Sequence, residues 1–188
     1  MFPFRLCAIN VIRSLWVDGP RQPAFRAAVL TSAALMLPIA ANAGDPSSPS
    51  TLSPTDAQPF AVTTATGVQI YSCEFDSSRH LGWVFQHPKA TLYDAAGRAS
   101  IQHDAGPSWE AADGSRIVGH VLAQAPSANP NSIPQLLLET HSTAQGSLSA
   151  VRFVQRLDTA GGTAPAEPCS EEHQTGSSPY FARYIFLK

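Results

Sequence analysis

From residue 67 onward the chain is a succession of short runs in which apolar and polar residues alternate. GVQIYSCEF places Val68, Ile70 and Ser72 on one face and Gln69, Tyr71 and Cys73 on the other, the period of two that defines a strand. LGWVFQHP, ATLYDAAGR, SRIVGHVLAQAP, PQLLLETHS, SAVRFVQRLDT and PYFARYIFLK complete the set and are rich in β-branched and aromatic residues. Turn residues separate them: the DAAG that starts at Asp94, Gly106-Pro107, Asp113-Gly114 and the AQGS of 144–147. Beyond the amino-terminal region no run of ten residues repeats at the helical period. Short, regularly spaced strands with Gly and Pro punctuation predict an all-β fold, a single antiparallel β-sandwich or barrel domain with long loops.

Two strands combine charges that bear on chemistry. In SAVRFVQRLDT, Val151, Phe153, Gln155 and Leu157 share one face while Arg152, Val154 and Arg156 share the other. In PQLLLETHS, Leu137, Glu139 and His141 fall opposite Leu136, Leu138 and Thr140. If AQGS joins the two as a hairpin, an arginine reaches Glu139 across the strands. The expectation is a solvated sheet face and not a lined pocket.

The front of the chain has a different character. Four arginines and one acid in residues 1–26 precede AAVLTSAALMLPIA and then Ala41-Asn42-Ala43, the layout of a signal peptide with a small-residue cleavage site. The apolar run is shorter than the ~20 residues a membrane span needs, so residues 1–43 read as a signal peptide, with no stable membrane span left after cleavage. The expected location is periplasmic or extracellular. Residues 44–60, GDPSSPSTLSPTDAQPF, are poor in core formers and read as a flexible lead-in, which leaves 61–188 as the all-β domain.

Cleavage would also remove Cys7 and leave Cys73 and Cys169. An even pair in a protein sent to an oxidising compartment predicts a disulfide, since neither a CxxC spacing nor a zinc motif accompanies them.

HDAGPSWEAADGSRIVGH, residues 103–120, concentrates the candidate chemistry. It lies between the strand that ends near Ile101 and the one that begins near Ile117, so it is expected to be a connection, with Trp109 as a lid over the core. His103, Trp109 and Asp113, with Tyr71 and Tyr180 adding aromatic surface, are the candidate ligand-binding residues. The bland alternative is that Trp109 pins a long loop and Asp113 caps a turn.

Other function classes recede. The formal charge is −2, charged residues make up 14% and no basic stripe interleaves with aromatics, which argues against nucleic acid. The histidines His80, His87, His103, His120, His141 and His173 stand singly, so no metal site is expected. No G-x-S-x-G occurs, and no residue can be assigned as catalytic.

GVQIYSC, W-x-F within GWVFQHP, H-x-x-GPSW, ADGS, IPQLLL, VQRLDTAGGTAP, Cys169 and PYFARYIF stand in an order that resembles the domain of unknown function 3455 family of secreted bacterial and fungal proteins. The resemblance spans about 65–188. It implies an exported all-β domain and supplies no established reaction. Gln135 departs from the pattern, in which tryptophan would follow Ile133-Pro134. A malate-dehydrogenase label carried by some fungal relatives finds no support, because no GxGxxG follows a strand.

Taken together, the expectation is a binding module for a small molecule, glycan or surface component, with no cofactor. The alternatives are a hydrolase using His103 as acid/base, oriented by Asp104 or Asp113, and a structural envelope or extracellular protein. Neither ligand nor oligomeric state is legible.

Overall fold

Strand-forming alternation resolves into one closed sheet in the computed structural model, which describes residues 49–188. The strands are β1 (Pro59–Phe75), β2 (Leu81–Tyr93), β3 (Ala99–Asp104), β4 (Ser108–Ala111), β5 (Arg116–Ala125), β6 (Gln135–Ala144), β7 (Phe153–Gly161) and β8 (Thr175–Leu187). Each pairs antiparallel with its chain neighbours, and β8 returns to β1, so the fold is an up-and-down barrel. Gln58 and Lys188 exchange two backbone hydrogen bonds of 2.8 and 3.0 Å beside that closing pair.

Two features depart from the alternation. LGWVFQHP and ATLY form a single strand, because β1 pairs Ile70 with His87 and Tyr71 with Phe85 and leaves Gln86 as a bulge. The stretch expected to be a connection contains β4, whose pairing with β3 sets Trp109 directly opposite His103.

The β2–β3, β4–β5 and β6–β7 connections lie at one end of the barrel. Leu148 and Val151 of the β6–β7 loop join Leu92, Ile101, Ile117 and Phe186 in the interior cluster there and close that end. At the other end stand the β1–β2, β3–β4, β5–β6 and β7–β8 connections. Cys73 near the end of β1 is bonded to Cys169 of the β7–β8 loop, with Cα atoms 5.8 Å apart.

A second apolar cluster lies outside the wall, where Leu137, Leu157, Ile185 and Leu187 meet Leu52. Leu52 sits in a single 3-10 turn, Ser50–Leu52, is fully buried, and accepts a 2.6 Å hydrogen bond at its carbonyl from Gln155 Nε2. The lead-in expected to be flexible is thus held against the barrel from this turn onward. Its composition conceals this, since one leucine suffices to cover a stripe that the outer face already presents. The signal peptide expected over 1–43 lies outside the described residues.

Candidate functional site: a cavity at the open end of the barrel

Strand length shapes the open end. Ala90 with His103 is the uppermost β2–β3 pair, and Ser108 with Val118 the uppermost β4–β5 pair. Strands β2 and β5 continue well beyond them on their other partners. The wall therefore has a notch whose sill is Gly106-Pro107 and whose sides are Phe85–Pro88 and Val121–Gln124. Behind it lies a cavity of about 510 Å³ lined by residues from both sides of the notch.

His103, Trp109 and Tyr184 form its floor. The imidazole stacks on the indole at 4.7 Å with 5° between the planes, and Tyr184 meets both rings edge-on. Gly119 makes room for this stack, since a Cβ there would stand 3.1 Å from the Trp109 ring. His103 Nδ1 lies 2.8 Å from the Ser108 carbonyl. A carbonyl only accepts, so Nδ1 carries the proton and Nε2 is left as an acceptor. Burial pushes the His103 pKa down to about 4, against the opposing pull of the Ser108 bond, so the ring is neutral at neutral pH.

The walls are mainly apolar, with Ile133, Leu136 and Leu138 facing Tyr71 and Phe85. Among them are polar groups that alternation did not reveal. Gln69 Nε2 and Trp109 Nε1 are both buried without a hydrogen-bond partner. Arg156 is on the inner face of β7, one step above fully buried Val154, and is paired with Leu136 on β6 and Tyr184 on β8. Its Nε and Nη2 donate to the Pro134 carbonyl at 3.3 and 2.9 Å. Among the described residues no Asp, Glu, Ser, Thr or Cys lines the cavity.

A protein-family profile described as a protein of unknown function, DUF3455, matches residues 54–188. The chain belongs to the DUF3455 family. No curated protein and no solved structure matches it.

The DUF3455 barrel brings together three of the five candidate residues. His103, Trp109 and Tyr71 line the cavity. The Tyr71 hydroxyl donates to the Gly162 carbonyl at 2.6 Å and so ties β1 to the β7–β8 loop, and burial raises its pKa. Tyr180 is fully buried, is not one of the lining residues, and has its hydroxyl 3.3 Å from that of Tyr184. Asp113 lies at the opposite, closed end. Its carboxylate accepts from the Ser115 hydroxyl at 2.6 Å and from the backbone N–H groups of Ser147 and Ser115 at 2.8 and 3.0 Å, which hold its pKa well below the usual carboxylate range. It joins the β4–β5 turn to the β6–β7 loop.

Further expectations change. Trp109 is no lid: it is 1% exposed and inside the barrel. Among the described residues no arginine meets Glu139, which stands opposite Phe153 and His120, with its carboxylate 3.3 Å from His120 Nε2. The face expected to be solvated carries Arg156 into the cavity instead. Gln135, where tryptophan was expected, is a brace: its amide donates to Pro126 O and accepts from Asp158 N. Asp104 does not orient His103 but accepts from Ala105 N at 2.8 Å and faces His87 at 3.5 Å. Glu74, Glu172 and His173 gather within 4.8 Å on the exposed surface, a grouping that their separation in sequence hides.

No helix among the described residues is long and apolar enough to cross a membrane.

Proposed function

We propose that the protein is an exported binding module that encloses a small organic molecule in the open end of its barrel. The observation that carries this reading is the pair of orphan donors, Gln69 Nε2 and Trp109 Nε1, buried beside a cavity of about 510 Å³. Buried N–H groups are nearly always bonded, and each left unpaired costs about 1–3 kcal/mol. Both atoms are sealed from water as they stand, and an acceptor on a ligand would remove that cost once a small turn of either side chain brings its N–H to the cavity. Small-molecule pockets commonly measure about 300–1,000 Å³ and combine apolar walls with a few placed polar groups.

The hydrolase alternative draws less support. His103 is held neutral, its Nδ1 is committed to Ser108, and neither carboxylate suggested for it reaches the ring. Export is supported by the amino-terminal pattern and by the Cys73–Cys169 disulfide, since such bonds persist in oxidising compartments.

Native mass spectrometry on the full chain, expressed in a bacterium and recovered from the periplasm, tests both parts. The expected protein begins at Gly44, lacks two hydrogens, and carries a non-covalent mass that Leu138→Trp, by filling the cavity, abolishes. A chain that retains Met1 would overturn export. A bare wild-type barrel whose melting temperature no small apolar acid, amide or alcohol moves would overturn binding.

A further inference from the structure

Among the described residues Arg156 is the one permanently charged group that lines the cavity, and nothing acidic lines it with that residue. Among the described residues the acceptor of its hydrogen bonds is neutral, the Pro134 carbonyl. Among the described residues no carboxylate lies within ion-pair distance of it. Arg156 is half-buried, with its bonds to Pro134 open to solvent, so its guanidinium borders the cavity as a cation that an incoming anion can meet. Outside the cavity Arg98, Arg116 and Arg183 each face a carboxylate at 2.8, 3.6 and 2.7 Å, while Arg79 and Arg152 lie over the Phe75 and Phe153 rings, so Arg156 is distinguished by its place at the cavity.

Of the remaining polar groups, His103 Nε2 is an acceptor and Gln86, His87 and Gln124 also line the cavity, but two have the same sense as the guanidinium. Trp109 Nε1 and Gln69 Nε2 are donors and both are unpartnered. The cavity thus combines one positive charge and two orphan donors with aliphatic and aromatic walls.

Resting on the binding-module reading, we infer that the occupant is a compact organic anion, an apolar or aromatic body with a single oxyanion head such as a carboxylate, its head toward Arg156 and its body over the His103–Trp109 stack. A planar guanidinium suits an oxyanion because it can offer two parallel N–H donors. A neutral glycan would leave the charge unmatched.

Two fluorescent probes of nearly the same shape separate this inference from the reading beneath it: 1-anilinonaphthalene-8-sulfonate, an anion, and N-phenyl-1-naphthylamine, its uncharged parent. Wild-type protein should bind the anion at one site at least about tenfold more tightly, the scale of one charge-assisted hydrogen-bonded pair. Arg156→Met should remove that preference and leave the neutral probe unchanged, while Arg156→Lys keeps most of it. Leu138→Trp, or Val121→Trp at the exposed rim if the first fails to fold, should weaken both probes. Equal binding of the two probes, in wild type and Arg156→Met alike, overturns the anion and spares the binding module. Loss of both probes to the same degree in both Arg156 variants makes the residue a brace for Pro134 and also overturns the anion. Binding of neither probe, or binding that both cavity-filling variants leave intact, overturns both.

Discussion

His103 is buried as a neutral ring, and that makes the barrel sensitive to acid. Its folded pKa, about 4, lies below its ordinary 6.5, so the unfolded chain takes up the proton first as the pH falls. The stability associated with the neutral ring is complete above about pH 6.5 and is lost as the pH falls toward 4. At about 1.4 kcal/mol per unit the loss amounts to about 3 kcal/mol. Urea unfolding measured from pH 7.5 to 4 should show this slope, and His103→Gln should flatten it, whatever its effect at pH 7.5. The lowered carboxylates Asp94 and Asp113 act in a different window, since their contributions hold above the ordinary carboxylate pKa and fade below it. The motif around residues 103–109 was legible because histidine, glycine, proline and tryptophan cluster there. Gln69 and Arg156 were not. Alternation sorts residues into two faces without saying which is inside, and in a barrel with an internal cavity the inner face of β1 carries Thr63, Gln69 and Tyr71 while Val62, Val68 and Ile70 point outward.

At the scale of elements the turns were the most readable part. Gly106 and Gly114 take φ values of +129° and +79°, which side chains on Cβ disfavour, and both were marked by their glycine. Strand boundaries were less readable. A bulge at Gln86 shifts the inward set by one and makes β2 look like two strands, and β4, with four residues, is too short to show a period. The Cys73–Cys169 bond was legible by counting, but its position was not: it fastens the β7–β8 loop to the end of β1 across 96 residues of chain. On the chain-entropy account a closed loop of that length is worth about 4–5 kcal/mol. The double variant Cys73→Ser/Cys169→Ser should lose about that much in denaturant unfolding, and the β7–β8 loop should become the first site of proteolysis. A loss below about 1 kcal/mol would mean that the loop is held by its other ties, among them Tyr71 to Gly162 and Trp83 Nε1 to the Glu167 carbonyl at 2.8 Å.

For the molecule as a whole, the all-β class and single domain could be read from strand spacing, whereas the choice between sandwich and barrel could not. That choice depends on whether β8 finds β1, a pairing of segments more than 100 residues apart, and local pattern carries no record of it. Such distant pairing belongs to the slow end of single-domain folding, about milliseconds to seconds. It also leaves Gln58 hydrogen-bonded to Lys188. Seen this way the sheet is a ring that the chain happens to interrupt between β8 and β1. The interruption can be moved: a circularly permuted protein that starts at Gly97, in the β2–β3 turn, and joins Lys188 to Pro49 through a flexible linker should regain the same far-ultraviolet circular dichroism and the same disulfide. Since the permuted ends would lie at the closed end, the notch and its cavity would be left untouched, and a fluorescent or affinity module could be carried there clear of the barrel's open mouth.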